Sequence, residues 1–289
     1  MVMKIAAWRY KLSSKLLAMG HYTPDMFVKS QWQKSAGISV YYVVYRWSVA
    51  CMFLSILLAS LADVGRPQGS LAHYAKWPIY LTHWGFTVCT LQAVLGAYLV
   101  TWALRQQDKD EDGGVMKMGR SLRVYWVLQS CGTVGAFAIT GIYWLFVYNP
   151  AENKLDALNL LMHAGNSVLM LTDLIVVSHP VRLIDFYWPI IFSTFYIMFN
   201  YIYFLAGGTD RKGRVFIYKI MDWREPKATL IVIQMCIVFV LLLHISVCVF
   251  SLLRRRLAEL LQRRQAAAAE SRARTLQGAT NDIPIDDLA

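Results

Sequence analysis

Two side chains inside apolar sequence carry the chemistry with most reach. They are Thr82, in Tyr80-Leu81-Thr82-His83, and His163, in His163-Ala164-Gly165-Asn166. A threonine hydroxyl beside an imidazole is a nucleophile–base pair, and a nearby amide can steady the oxyanion of an attacked ester. Asn166 follows His163 by three residues and so shares its face on a regular helix. Asn200 and His83 occupy comparable places in their own apolar blocks. The same groups can instead hydrogen-bond one another across helices as packing glue, and residue types leave both uses open. A second pair, Arg46 and Asp173, has opposite charges in apolar surroundings. An internal ion pair would lower the cost of burying both. Alternatively, Arg46 snorkels to the surface and Asp173 reaches water by itself. His244 stands alone and reads as a satisfied core histidine.

These residues need a frame, and composition says which. The chain has 289 residues, 57% hydrophobic and 16% charged, with mean hydropathy +0.40. Soluble domains are less apolar and carry about 25% charge. The excess falls in six blocks, at about 41–63, 77–104, 124–148, 157–177, 186–206 and 229–253, each long enough to cross a bilayer core of about 30 Å. They are sustained apolar runs without the alternation of barrel strands. The expected fold is all-α, a polytopic bundle of about six transmembrane helices. A basic segment 1–40 precedes the membrane domain 41–253, and a tail 254–289 follows, basic and then disordered. An ordinary soluble globule, a disordered chain and a disulfide-stapled secreted domain are excluded. The net charge of +11 belongs to basic cytoplasmic loops rather than to nucleic-acid binding. The first forty residues lack an apolar stretch after a basic start, so no cleavable signal peptide is expected. Cys51, Cys89, Cys131, Cys236 and Cys248 sit in apolar blocks without metal-ligand spacing, and no phosphate loop or hydrolase motif appears. No metal or cofactor is expected.

Orientation follows the basic residues. The N-terminus, the loop 105–123, Arg182 and the tail hold nineteen Lys and Arg, against nine in the loops 64–76, 149–156 and 207–228. Both termini should be cytoplasmic. The loop 207–228 runs against the bias, with Arg211, Lys212, Arg214, Lys219, Arg224 and Lys227; a re-entrant 186–206 would move the C-terminus outside. On this scheme Thr82 and His163 both lie roughly 8–9 Å below the outer boundary at 1.5 Å per residue. Trp77, Tyr80, Tyr143, Trp144, Tyr187 and Trp188 mark headgroup depth. Gly132, Ala136 and Thr140, four apart, allow close helix approach, either inside the bundle or in self-association through Gly132 and Ala136. Arg254, Arg255 and Arg256 form a juxtamembrane cluster suited to anionic lipid or to simple anchoring.

Three segments carry a resemblance. The run His21-Tyr22-Thr23-Pro24-Asp25-Met26-Phe27-Val28-Lys29-Ser30-Gln31-Trp32-Gln33 is similar to the N-terminal region of the insect rolling stone family. So are Tyr80-Leu81-Thr82-His83-Trp84-Gly85-Phe86 and His163-Ala164-Gly165-Asn166-Ser167-Val168-Leu169-Met170-Leu171. The similarity runs through the sixth span, to about residue 256. It implies a multi-pass protein linked to myoblast fusion in muscle development. A more distant resemblance is to the androgen-induced-gene membrane hydrolases. That family also has about six spans, and uses an intramembrane threonine and histidine to cleave fatty-acid esters of hydroxy fatty acids. Their threonine lies in a Leu-Thr pair opening a span, as Leu81-Thr82 does. Their histidine precedes a Thr-Thr-Val-Leu run comparable to Asn166-Ser167-Val168-Leu169. Without gaps its position falls on Gly165; small shifts place it on His163 or Asn166.

Two expectations result. One is a non-enzymatic plasma-membrane protein of cell–cell fusion, with membrane lipid and other membrane proteins as partners. The other is a lipid-ester hydrolase with Thr82 as nucleophile, His163 as base, and Asn166 or Asn200 at the oxyanion.

Overall fold

The computed structural model describes residues 24–67, 69–107 and 119–281. The basic residues before 24 and within 108–118, His21 to Thr23, and Asp282, Asp286 and Asp287 lie outside the described residues. Six long apolar helices cross the molecule: α1 (Val40–Leu61), α2 (Leu81–Gln107), α3 (Arg120–Val147), α4 (Ala157–Val176), α5 (Leu183–Leu205) and α6 (Pro226–Asn281). A helix satisfies its own backbone polar groups, which a bilayer core demands. No strand is present among the described residues; Ser30 and Val177 form one isolated antiparallel bridge. Half of the apolar stretch of α2 and of α3 is buried, against 17% for α5. Helices α2 and α3 are therefore the middle of the bundle, with α1 and α4 on one side and α5 and α6 on the other.

Two boundaries moved for local reasons. The second span was expected from 77, but Pro78 sits in a tight 3₁₀ turn (Trp77–Ile79) and Tyr80 is extended, so α2 starts at Leu81. The sixth span was expected to end at 253, with its helix continuing to about 264 and a disordered or partly helical tail beyond. The helix runs on to Asn281. Ala266 to Ala269 and the neighbouring Leu, Gln, Glu and Arg are strong helix formers, and Arg274 pairs with Glu270 one turn away. Helix α5 has 23 residues and is long and apolar enough to cross a membrane.

The connections gather at two ends. At one, the segment 24–33 caps the bundle. Phe27 and Val28 are buried, with Phe27 stacked on His179 and packed against Trp126. The Gln31 amide donates to the Val176 carbonyl at 2.8 Å, one of the free acceptors ending α4. Arg254 also turns inward. It is buried and donates to the carbonyls of Leu174 and His179. Of the expected basic cluster, Arg255 is half-buried, and Arg256, Arg263 and Arg264 are exposed. At the other end the loops 62–80, 148–156 and 206–225 meet.

Gly132 and Ala136 are buried inside the bundle. A Cβ on Gly132 would lie 3.4 Å from Cys89 Sγ of α2. This small-residue stripe packs α3 against α2.

Candidate functional site

Both chemical pairs named above acquire definite surroundings, and they differ. Arg46 and Asp173 meet in the bundle's interior, each with no solvent exposure, Nη1 donating to Oδ1 at 2.5 Å. Gln92 Nε2 donates to Asp173 Oδ2 at 3.2 Å and the Tyr45 hydroxyl to Oδ1 at 3.3 Å. Gln92 continues to Gln129, and Gln129 to Thr133 Oγ1 at 3.1 Å. Arg46 has this room because residue 96 is glycine: a Cβ there would fall 2.8 Å from the guanidinium carbon and 2.9 Å from Tyr125. The network joins four helices; Gln129 and Thr133 border a small cavity of about 10 Å³.

Thr82 and His163 lie at the opposite end, and both line one chamber of about 630 Å³. Two widened π-helical turns shape its floor, Tyr143–Val147 in α3 and Leu161–Gly165 in α4. Such turns insert an extra residue and often mark functional sites. They bring Tyr143 and His163 face to face, ring centroids 3.4 Å apart and nearly parallel. His163 Nδ1 is buried without a hydrogen-bond partner, and no hydrogen bond joins it to Thr82. Thr82 sits instead beside the Tyr218 phenol. That phenol oxygen accepts the Leu81 amide at 3.0 Å, a free donor of the first turn of α2. Burial pushes the Tyr218 hydroxyl up to about 12, so it stays protonated.

The two asparagines are elsewhere. The π-turn widens the helix between His163 and Asn166 and rotates Asn166 towards α3, where its Oδ1 accepts the Thr140 hydroxyl at 3.1 Å. Asn200 Oδ1 accepts Trp223 Nε1 at 2.7 Å and anchors the loop after α5. Neither lines the chamber. His83 does. Its ring stacks on Trp77 at 4.3 Å and its Nδ1 meets the Trp77 carbonyl at 2.5 Å. A carbonyl only accepts, so Nδ1 carries the proton and Nε2 keeps its lone pair. Asn159, one turn before His163, donates to the Tyr143 hydroxyl at 2.5 Å. His244 packs at the far end, its Nε2 on the carbonyls of Arg182 and Leu183.

The chamber rim is ionic. Asp63, in a left-handed conformation (φ 47°), accepts from His73 at 2.6 Å, Arg211 at 3.1 Å and Arg66 at 3.3 Å. Arg66 also grips Asp156 with two nitrogens, at 2.9 and 3.1 Å. Asp156 caps α4 by accepting the Asn159 amide. Burial works to raise the Asp63 carboxyl, but the His73 hydrogen bond and the two guanidiniums outweigh it and hold the group below its ordinary range. The Arg66 hydrogen bond does the same for Asp156. Asp210 binds Arg214 at 2.7 Å, and Arg214 reaches Glu152 at 2.5 Å. The basic loop that ran against the charge bias is thus a strap tied to the loops after α1 and α3. Asp63, Arg66 and His73 carried no sequence signal beyond being charged residues near a span end.

Thr82, Tyr143 and Tyr218 also line a second space, a slot of about 100 Å³ between α3, α5 and α6. Its other walls are apolar, among them Val134, Ala138, Phe192, Ile237 and Val240. A charged chamber and an apolar slot therefore share five wall residues, these three with Val147 and Ile220.

The comparisons with known proteins agree with the fold. The family model described as protein rolling stone matches residues 8–273. The chain belongs to the rolling stone family. Protein rolling stone of Drosophila melanogaster is 32% identical over 213 residues, 71% of this chain and 74% of that protein. The family match extends past residue 256, where the resemblance was expected to stop, into the continued α6. No solved structure matches. Rolling stone membership covers both walls of the chamber, since α2, α4 and the strap all fall inside the matched residues.

Proposed function

We propose that this rolling stone family protein is a non-enzymatic plasma-membrane protein of cell–cell fusion, and that it works by holding a membrane amphiphile at its chamber end. The observation that carries the reading is the shared wall. Thr82, Tyr143 and Tyr218 border a polar chamber on one side and an apolar slot on the other, and an amphiphile has one end for each. Fusion itself comes from the family resemblance to proteins of myoblast fusion. Both termini are cytoplasmic on the basic-residue bias, which turns the chamber to the outer leaflet. Ala138→Phe, which fills the slot, should abolish fusion in a cell-mixing assay at normal surface expression. Unchanged fusion at equal expression would sink the amphiphile reading.

A hydrolytic use of the same chamber has one observation in its favour: Thr82, His83 and His163 all line it. The Nδ1 of His83 donates to the Trp77 carbonyl, which leaves its Nε2 able to accept a proton. Thr82→Ala and His83→Ala should then both abolish labelling by a lipid-mimicking serine/threonine hydrolase probe. An unlabelled parent protein would leave the non-enzymatic reading alone.

A further inference from the structure

We infer that the chamber selects an amphiphile with an anionic headgroup, an inference that rests on the amphiphile reading above. The rim's carboxylates are all committed. Asp63, Asp156, Asp210 and Glu152 each accept from at least one guanidinium. The cations are not all used. Arg211 spends Nη1 on Asp63, while its Nε and Nη2 are buried with no partner. Its guanidinium lies 5.8 Å from the centre of the Tyr80 ring, close to the chamber wall. Lys154 and Lys219 line the same chamber from opposite loops, exposed and in no ion pair among the described residues. Buried donors left unsatisfied are costly, and a charged acceptor with several oxygens would remove that cost at Arg211 while neutralising both lysines.

The carboxylate or phosphate oxygens of a headgroup have that chemistry. The slot adds the second criterion. It is narrow and almost wholly apolar, so it admits a hydrocarbon chain and excludes a second charged group. A free anion would use the rim alone. A zwitterionic headgroup would bring its own cation among Arg211, Lys154 and Lys219, at a repulsive cost. The preferred ligand is therefore a lipid with a net negative head, entering from the outer leaflet.

The test uses the full chain, purified in a neutral detergent, with thermal stabilisation as readout. The probes are a phosphatidic acid of medium chain length, the matching phosphatidylcholine, and inorganic phosphate. The acidic lipid should stabilise the protein at least tenfold more tightly than the choline lipid, and phosphate should not stabilise it at all. Lys154→Gln and Lys219→Gln remove no ion pair, so folding is preserved. Each should weaken the acidic lipid about fivefold, near 1 kcal/mol per basic group, and leave the choline lipid unchanged. Ala138→Phe should weaken both lipids. Equal binding of the two lipids, both lost in Ala138→Phe, would overturn the charge selectivity and leave the amphiphile reading standing. Stabilisation by phosphate as strong as by the acidic lipid, unaffected by Ala138→Phe, would overturn both and mark a free-anion site. No response to any probe would also overturn both.

Discussion

The molecule buries charge in two ways, and the contrast between its ends explains which end can work. The Arg46–Asp173 pair is fully buried and its network is shared by four helices. The rim around Asp63 is half-open, with its carboxylates spread over three loops and several cations. Removing one partner of a buried pair strands a charge that has no water to turn to, whereas exposed pairs lose little because solvent replaces the partner. The first arrangement fixes how helices pack. Both leave guanidinium donors without a partner, at Arg46 and at Arg211, but Arg211 borders a chamber of about 630 Å³ that a ligand can enter.

The contrast can be broken most forcefully at Arg46. Arg46→Met alone should lower stability in detergent by about 3–5 kcal/mol, because Asp173 is left charged and buried. The double variant Arg46→Met/Asp173→Leu should recover most of the loss in the same chemical-denaturation experiment. Equal damage in single and double variants would show that the pair is not coupled. A smaller effect is expected at Gly96. Gly96→Ala pushes a methyl into the guanidinium and the Tyr125 ring, an overpacking cost of about 1–3 kcal/mol. Combined with Arg46→Met it should cost much less, and strict additivity would refute the steric explanation.

The smallest effect sharpens the other side. Asp63 and Asp156 are held below their ordinary value of 3.8. Their contribution to stability is therefore complete above that value and is lost as the pH falls through the lower folded values. Mild acid down to about pH 4 should leave the strap closed, and stronger acid should release it while the spans stay helical. Proteolysis of the loop 206–225, followed against circular dichroism, reads both. A strap that opens between pH 7 and 5 would show that these carboxylates do not control it.

How far the chain reveals this depends on the range of the interaction. Long apolar blocks report the spans directly, because twenty residues without charge have few alternatives in water. Arg46 and Asp173 are visible as a pair because opposite charges at similar depth in an apolar bundle have few other partners. Equal depth likewise places Thr82 and His163 at one level, and both line one chamber. The errors are local-geometry errors. Asn166 leaves the His163 face because a π-turn intervenes, and residue spacing assumes 3.6 per turn. Asn200 is taken by Trp223 from a loop whose fold the sequence does not disclose. The strap looked like a topological anomaly because its counter-ions, Asp63 and Glu152, are far away in the chain. The N-terminal cap was read as a basic segment, since Phe27 and Val28 give no periodic pattern that would announce a buried turn.

We propose that the chamber end faces outside water and that the Arg46–Asp173 network is shut off from it. Reaction of single cysteines with a membrane-impermeant maleimide on intact cells tests this most directly. Thr82→Cys, in the chamber, should be labelled, and labelling should slow when an anionic amphiphile is added; Gln92→Cys, in the sealed network, should not react. Labelling of Gln92→Cys at the rate of Thr82→Cys, or of Thr82→Cys only after permeabilisation, would contradict the account.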